Sequence, residues 1–136
     1  MSQKRWQSHF WNTNNMIKGV FTENMPLFPV LVAWGQSVQA PFVILDTGFT
    51  GDLQVTPEIA KELGLKVTGV INVRIANGQV VEVPTALAFA VMEGMKNYID
   101  VLISDSMPLA GISFLSKFNY KAIVDCKYKT VNLERV

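Results

Sequence analysis

The chain has 136 residues, 49% apolar and 17% charged, with a net charge of +1. That is enough apolar material for one sizeable core and excludes global disorder; without a clustered basic face there is no nucleic-acid footprint. A single cysteine, Cys126, excludes an intrachain disulfide and a paired-cysteine zinc site. Neither a metal nor another cofactor is expected.

The one histidine, His9, lies in a polar stretch far from Cys126, which argues against a Cys-His pair or a Ser-His-Asp triad. No apolar run approaches the roughly 18 residues that span a membrane. The first ten residues hold no apolar signal region. The expected compartment is the cytoplasm, with no membrane partner.

Residues 1–15 are polar, with Trp6, Phe10 and Trp11 scattered among Asn, Gln and Ser. They read as a flexible N-terminal arm before a single domain over 16–136. Met16 to Phe21 is strand-like. Thr22 to Pro29 holds two prolines and reads as a turn. Val30 to Trp34 is a strand, and Gly35-Gln36-Ser37 turns it into Val38 to Leu45 as an antiparallel hairpin. Pro41 marks a bulge or an edge.

Leu53-Gln54-Val55 is a short strand. Thr56-Pro57-Glu58 then signals a helix start: Thr caps, Pro suits the first helical position, and Glu favours the positive end of the dipole. The helix should stop at Gly64. Val70 to Ile75 and Val80 to Val83 flank Ala76-Asn77-Gly78-Gln79, and Asn-Gly between β-rich runs signals a hairpin. Ala86 to Met92 and Tyr98 to Ile103 are strands joined through Glu93-Gly94-Met95-Lys96. Ser104 to Pro108 is a loop. Leu109 to Leu115, apolar around Gly111, leads into a short helical turn near Lys117. Tyr120 to Cys126 and Thr130 to Leu133 are the last two strands. About nine short strands with turn signals every 8–12 residues predict an all-β barrel or sandwich with one or two short helices.

One stretch stands out. Phe42 to Leu45 is an unbroken apolar run, read as a strand buried on both faces. It ends in Asp46-Thr47-Gly48. A charge there is costly unless it is satisfied or used. Asp, Thr and Gly are also turn residues, so the decapeptide alone leaves a turn and a chemical site both open.

The order of these features resembles the retropepsin-type aspartic proteases, the bacterial members in particular. The likeness rests on an apolar strand ending in Asp46-Thr47-Gly48, an Asn-Gly hairpin about thirty residues on, the segment Leu109 to Leu115 and a closing strand pair. It spans roughly residues 16–136. It implies a closed or partly open acid-protease β-barrel. It also implies an aspartic endopeptidase in which two carboxylates about 3 Å apart share one proton, supplying the base that activates water and the acid that protonates the leaving nitrogen. With one Asp-Thr-Gly per chain, the second carboxylate must come from another copy. The active form would be a homodimer acting on a peptide or protein, its terminal strands (near Met16 to Phe21 and Thr130 to Leu133) contributing to the interface.

The resemblance also assigns roles. Asp46 is catalytic. Thr47 bonds across to the mate's loop. Gly48 lets its N–H approach the carboxylate. Ala76, Asn77 and Gly78 form the tip of a flap that closes over substrate and opens at low cost. Gly111 sits beneath the catalytic loop, where a Cβ has no room. The residue after the triplet is small in retroviral enzymes and is Phe49 here, which would reshape the substrate subsites; Gly51 fits the bacterial pattern.

Other residues have blander readings. Asp52 is expected as a solvated turn charge, Asp125 as a strand-end carboxylate, Asp100 and Asp105 as surface charges. Cys126 reads as an inert core residue, Arg74 as an exposed hairpin charge, and Trp34 and Phe49 as packing more than recognition. The main rival function is a non-catalytic dimer of the same fold that binds extended peptides by strand addition; it has no need of an intact Asp-Thr-Gly. A β-barrel carrier of nucleotides or lipids lacks a phosphate loop or basic cluster.

Overall fold

The computed structural model describes residues 16–136, and the N-terminal arm expected over 1–15 lies outside the described residues. Among the described residues, thirteen strands and two short helices follow in order: β1 Met16–Lys18, β2 Val20–Thr22, β3 Met25–Pro29, β4 Leu31–Trp34, β5 Ser37–Gln39, β6 Phe42–Leu45, β7 Leu53–Val55, α1 Pro57–Leu63, β8 Val67–Arg74, β9 Val80–Met92, β10 Met95–Ile103, β11 Leu109–Ala110, α2 Ile112–Lys117, β12 Tyr120–Asp125 and β13 Thr130–Arg135. The fold is all-β, a curled half-barrel carrying two short helices.

The expected first strand is two strands in two sheets. β1 pairs with β13 in a three-stranded sheet, β1-β13-β12. β2 pairs with β3 at one edge of a ten-stranded sheet. Gly19 marks the crossing. Its N–H donates to Val131 O at 2.7 Å, and a Cβ there would come within 2.5 Å of Val131 Cγ1 and collide with Leu27 O.

The proline-rich turn expected over 22–29 is a hairpin instead. Glu23 and Asn24, with φ of 51° and 64°, make the two-residue left-handed loop that suits strand twist, and β3 follows. Its prolines are tolerated because each has a strand neighbour on one side only: Pro26 faces Phe21 on β2, and Pro29 faces Phe42 on β6. The same reason merges two expected strands into β9. Pro84 pairs with Val70 on β8, while pairing to β10 begins only at Thr85.

The core lies between the curled sheet and the helices. Ala86, Ala88, Ala90 and Met92, at alternate positions of β9, are all buried. Phe28, Phe114 and Phe118 are fully buried, with ring centroids 6.1 Å and 4.9 Å apart along the series. Trp34 packs as expected, its ring 5.8 Å from that of Phe89.

A polar joint ties the two sheets together. Tyr120 on β12 donates its hydroxyl to Glu93 Oε1 at 2.7 Å, and Arg135 on β13 donates to Met92 O at 2.9 Å. Burial pushes the Tyr120 phenol far above its ordinary 10.0, and the neighbouring Glu93 carboxylate pushes it further the same way. The folded state therefore holds this proton more tightly than the unfolded chain. The resulting stability is intact below pH 10.0 and is lost as pH rises beyond it. Tyr120→Phe should cost about 1 kcal/mol near neutrality and flatten the alkaline loss; urea titrations at pH 7 and above pH 10 measure both.

Candidate active site

Asp46 leaves the end of β6 into a seven-residue loop, 46–52, that closes on β7. The loop hangs from one short stretch of chain. Asp46 N donates to Ala110 O at 3.0 Å, Ile112 N to Phe49 O at 3.0 Å, and Gly111 N to Asp52 O at 3.0 Å. β11 lies parallel to β6 and antiparallel to β7, so residues 109–110 fill the gap between the strands entering and leaving the loop.

Gly111 is buried directly beneath. A Cβ there would collide with the carbonyl oxygens of Phe49 and Gly51 and approach Phe49 Cδ2 to 2.9 Å. This is the cramped floor that the resemblance implies.

Within the loop, Gly48 N donates to Asp46 Oδ1 at 2.9 Å, and Phe49 N donates to Asp46 O at 3.1 Å. One carboxylate oxygen is thereby oriented by the loop's own backbone. Asp46 is half-buried, while Thr47 and Gly48 are exposed. The half-buried Phe49 ring folds back over its own loop: a Cβ at Gly51 would meet Phe49 Cζ at 2.7 Å.

β8 and β9 form the expected hairpin, with a tip that differs from a two-residue Asn-Gly loop. Gly78 adopts φ +86°, but Asn77 stays outside the left-handed region. Gly78 N donates to Ile75 O, and Ile75 N to Gln79 O, both at 2.9 Å. The extra tip residue is accommodated by a four-residue turn closed by a left-handed glycine. Asn77 Oδ1 accepts from Gln79 N at 2.9 Å, and Arg74 Nη1 donates to Gly78 O at 3.0 Å. Ala76, Asn77 and Gly78 are all exposed. On the body side, Val83 is 9% exposed, and its face carries the cross-strand pairs Ile71–Val83 and Val73–Val81. The charged Arg74 and Glu82 lie on the opposite face.

The strand before the triplet is not buried on both faces: Phe42 is exposed and Ile44 half-buried, while Val43 and Leu45 are in the core. Two side chains beyond the triplet also depart from expectation. Asp52 is no solvated turn charge: it is 3% exposed. Its Oδ2 accepts from Lys117 Nζ at 2.6 Å and from Asp100 N at 2.9 Å. Cys126 is exposed rather than in the core. Asp125 behaves as a turn carboxylate, its Oδ1 accepting from Lys127 N and Tyr128 N at 3.0 Å each. Among the described residues no group of three or more His, Cys, Asp or Glu is placed to hold a metal, and no helix is long and apolar enough to cross a membrane.

No family model matches the chain, and no curated protein does. Among solved structures, the chain is similar to EIAV protease complexed with the inhibitor HBY-793, with 20% sequence identity and a TM-score of 0.57, over 75% of this chain and 95% of that one. At that identity the likeness speaks for the fold, which is retropepsin-like. The function has to be argued from the site.

Proposed function

We propose that the chain is an aspartic endopeptidase of the bacterial retropepsin-like kind, acting as a symmetric homodimer. The observation that carries this reading is the intact Asp46-Thr47-Gly48 at the end of β6, with Gly48 N holding Asp46 Oδ1 at 2.9 Å. The loop is seated on backbone that leaves no space beneath it. Half-burial of Asp46 leaves a carboxylate edge for a partner.

In this reading the two Asp46 carboxylates meet across a two-fold axis and share a proton. One takes a proton from water as it attacks the peptide carbonyl. The other gives a proton to the departing nitrogen. Thr47 joins the two loops through its hydroxyl, and Gly48 keeps the approach to the carboxylate open. The hairpin tip at Ala76, Asn77 and Gly78 closes over the peptide, and the apolar face of Ile71, Val73, Val81 and Val83 lies above it. Phe49 shapes the subsites from the edge of the loop. Cleavage of a peptide library across pH, with Asp46→Asn as control, tests the reading; a protein that binds peptides without cutting them would be the non-catalytic dimer instead.

The terminal sheet supports assembly. Among the described residues β1 is one edge strand, but β13, which holds Thr130 to Leu133, is the middle one of the order β1-β13-β12, so the other edge is β12, which leaves Ile123 and Val124 41% and 39% exposed. Open edges with apolar side chains invite pairing with another chain. Sedimentation at micromolar concentration should give a dimer, and a strict monomer at ten times that concentration would count heavily against a shared dyad.

A further inference from the structure

We infer that the ion pair between buried Asp52 and exposed Lys117 positions the catalytic loop, acting through the loop's seat on α2 and without touching substrate. The inference rests on the reading of Asp46 as the catalytic carboxylate.

Three observations converge on it. The first is the tether of the loop. Its head, middle and tail bond to residues 110, 112 and 111 in turn, so its height and tilt follow those three residues. The second is the weakness of what carries them. α2 is six residues long and has no side-chain N-cap. A helix so short is not stable by itself and needs external anchors to hold one orientation.

The third is the pair itself. Lys117, the last residue of α2, donates to Asp52 Oδ2 at 2.6 Å and to Tyr98 O on β10 at 3.2 Å. The carbonyl of Lys117 accepts from Asn97 Nδ2 at 3.0 Å. With Gly111 N on Asp52 O, the chain forms a closed brace: loop tail to helix start by backbone, helix end back to loop tail by the ion pair. α2 cannot pivot about Gly111 without breaking it.

The carboxylate is costly to keep, although the Lys117 side chain is 36% exposed. The Asp52 side chain is 2% exposed, and its Oδ1 is buried with no hydrogen-bond partner. A buried charge with one orphaned oxygen is a poor source of stability. Geometry is the better account, because displacing catalytic groups by about 1 Å lowers rates by about 10²-fold.

The test compares the native chain with Asp52→Asn, Lys117→Met, the double variant and Lys117→Arg. Asn still accepts from Asp100 N, and Met keeps much of the lysine stem, so the double variant loses the ion pair with little loss of packing. Its kcat should fall by about 10²-fold with KM and Tm nearly unchanged, and amide exchange at Gly48 and Phe49 should quicken. Lys117→Arg should restore most of kcat. Unchanged kcat in the double variant overturns the inference. So does a loss of rate that tracks loss of folded protein, since the pair would then be a structural element only. If the native chain cleaves no peptide, the protease reading itself falls and takes the inference with it; if the native chain cleaves and the variants match it, only the inference falls.

Discussion

Asp46→Asn is expected to abolish peptide hydrolysis while leaving the fold and the dimer intact. The substitution keeps the size of the side chain. Asn Oδ1 can still accept from Gly48 N, the bond that fixes the carboxylate at 2.9 Å in the native loop. What disappears is the group that takes and gives a proton. General base and general acid each contribute about 10²–10⁴-fold, and in a symmetric dimer the substitution removes both at once. The loss should exceed about 10⁴-fold in kcat. Stability should hold or rise, because placing two carboxylates together near the axis costs free energy that two amides do not. The native enzyme should show a bell-shaped pH profile whose limbs belong to the pair and not to either residue. Chelators should leave it unchanged. Full activity in Asp46→Asn, or inhibition by chelator, would remove the dyad mechanism and leave only the fold.

What the sequence makes legible here is mostly local chemistry. α1 starts and stops where its caps place it. Thr56 Oγ1 accepts from Ile59 N, Pro57 opens the first turn, and Gly64 closes the helix at φ +70°. Each of these is decided within a few residues. The Asp-Thr-Gly turn and the 74–80 hairpin are legible for a related reason, since residue type and order carry them; the tight floor at Gly111 is implied by the family resemblance alone.

The misreadings are non-local. Nothing near Gly19 announces that the chain must pass Leu27 O and Val131, so the sequence predicts one strand where there are two. Pro84 looks like a strand breaker until the pairing shows that its donorless side has no neighbour. Asp52 sits among glycines and polar residues, as a surface charge would. Its burial depends on a lysine 65 residues away. The one local hint was its place directly before the buried Leu53-Gln54-Val55 strand.

Gly111→Ala is the second substitution with a large expected effect, and its cause is space, not backbone conformation. Gly111 has φ −110° and ψ −171°, extended values that any residue adopts. The obstacle is that an added Cβ runs into two backbone carbonyls, those of Phe49 and Gly51. Neither can move alone. Phe49 O accepts from Ile112 N, and the loop's tail is held by Gly111 N on Asp52 O. To admit the methyl, the loop must lift from α2 and strain or break both bonds. Overpacking and the two weakened bonds together should cost about 3 kcal/mol, a fall in Tm of about 10 °C or more for a chain of this size. Activity should fall further than stability, because the lifted segment carries Asp46. Gly51→Ala is the matched control. Its Cβ meets only the Phe49 ring, at 2.7 Å from Cζ, and a ring can turn aside. It should cost about 1 kcal/mol and shift cleavage preference more than rate. Calorimetry and kinetics on the two variants decide the matter. If Gly111→Ala melts with the native protein, residues 109–112 yield as a unit, and the rigid floor beneath Asp46 does not exist.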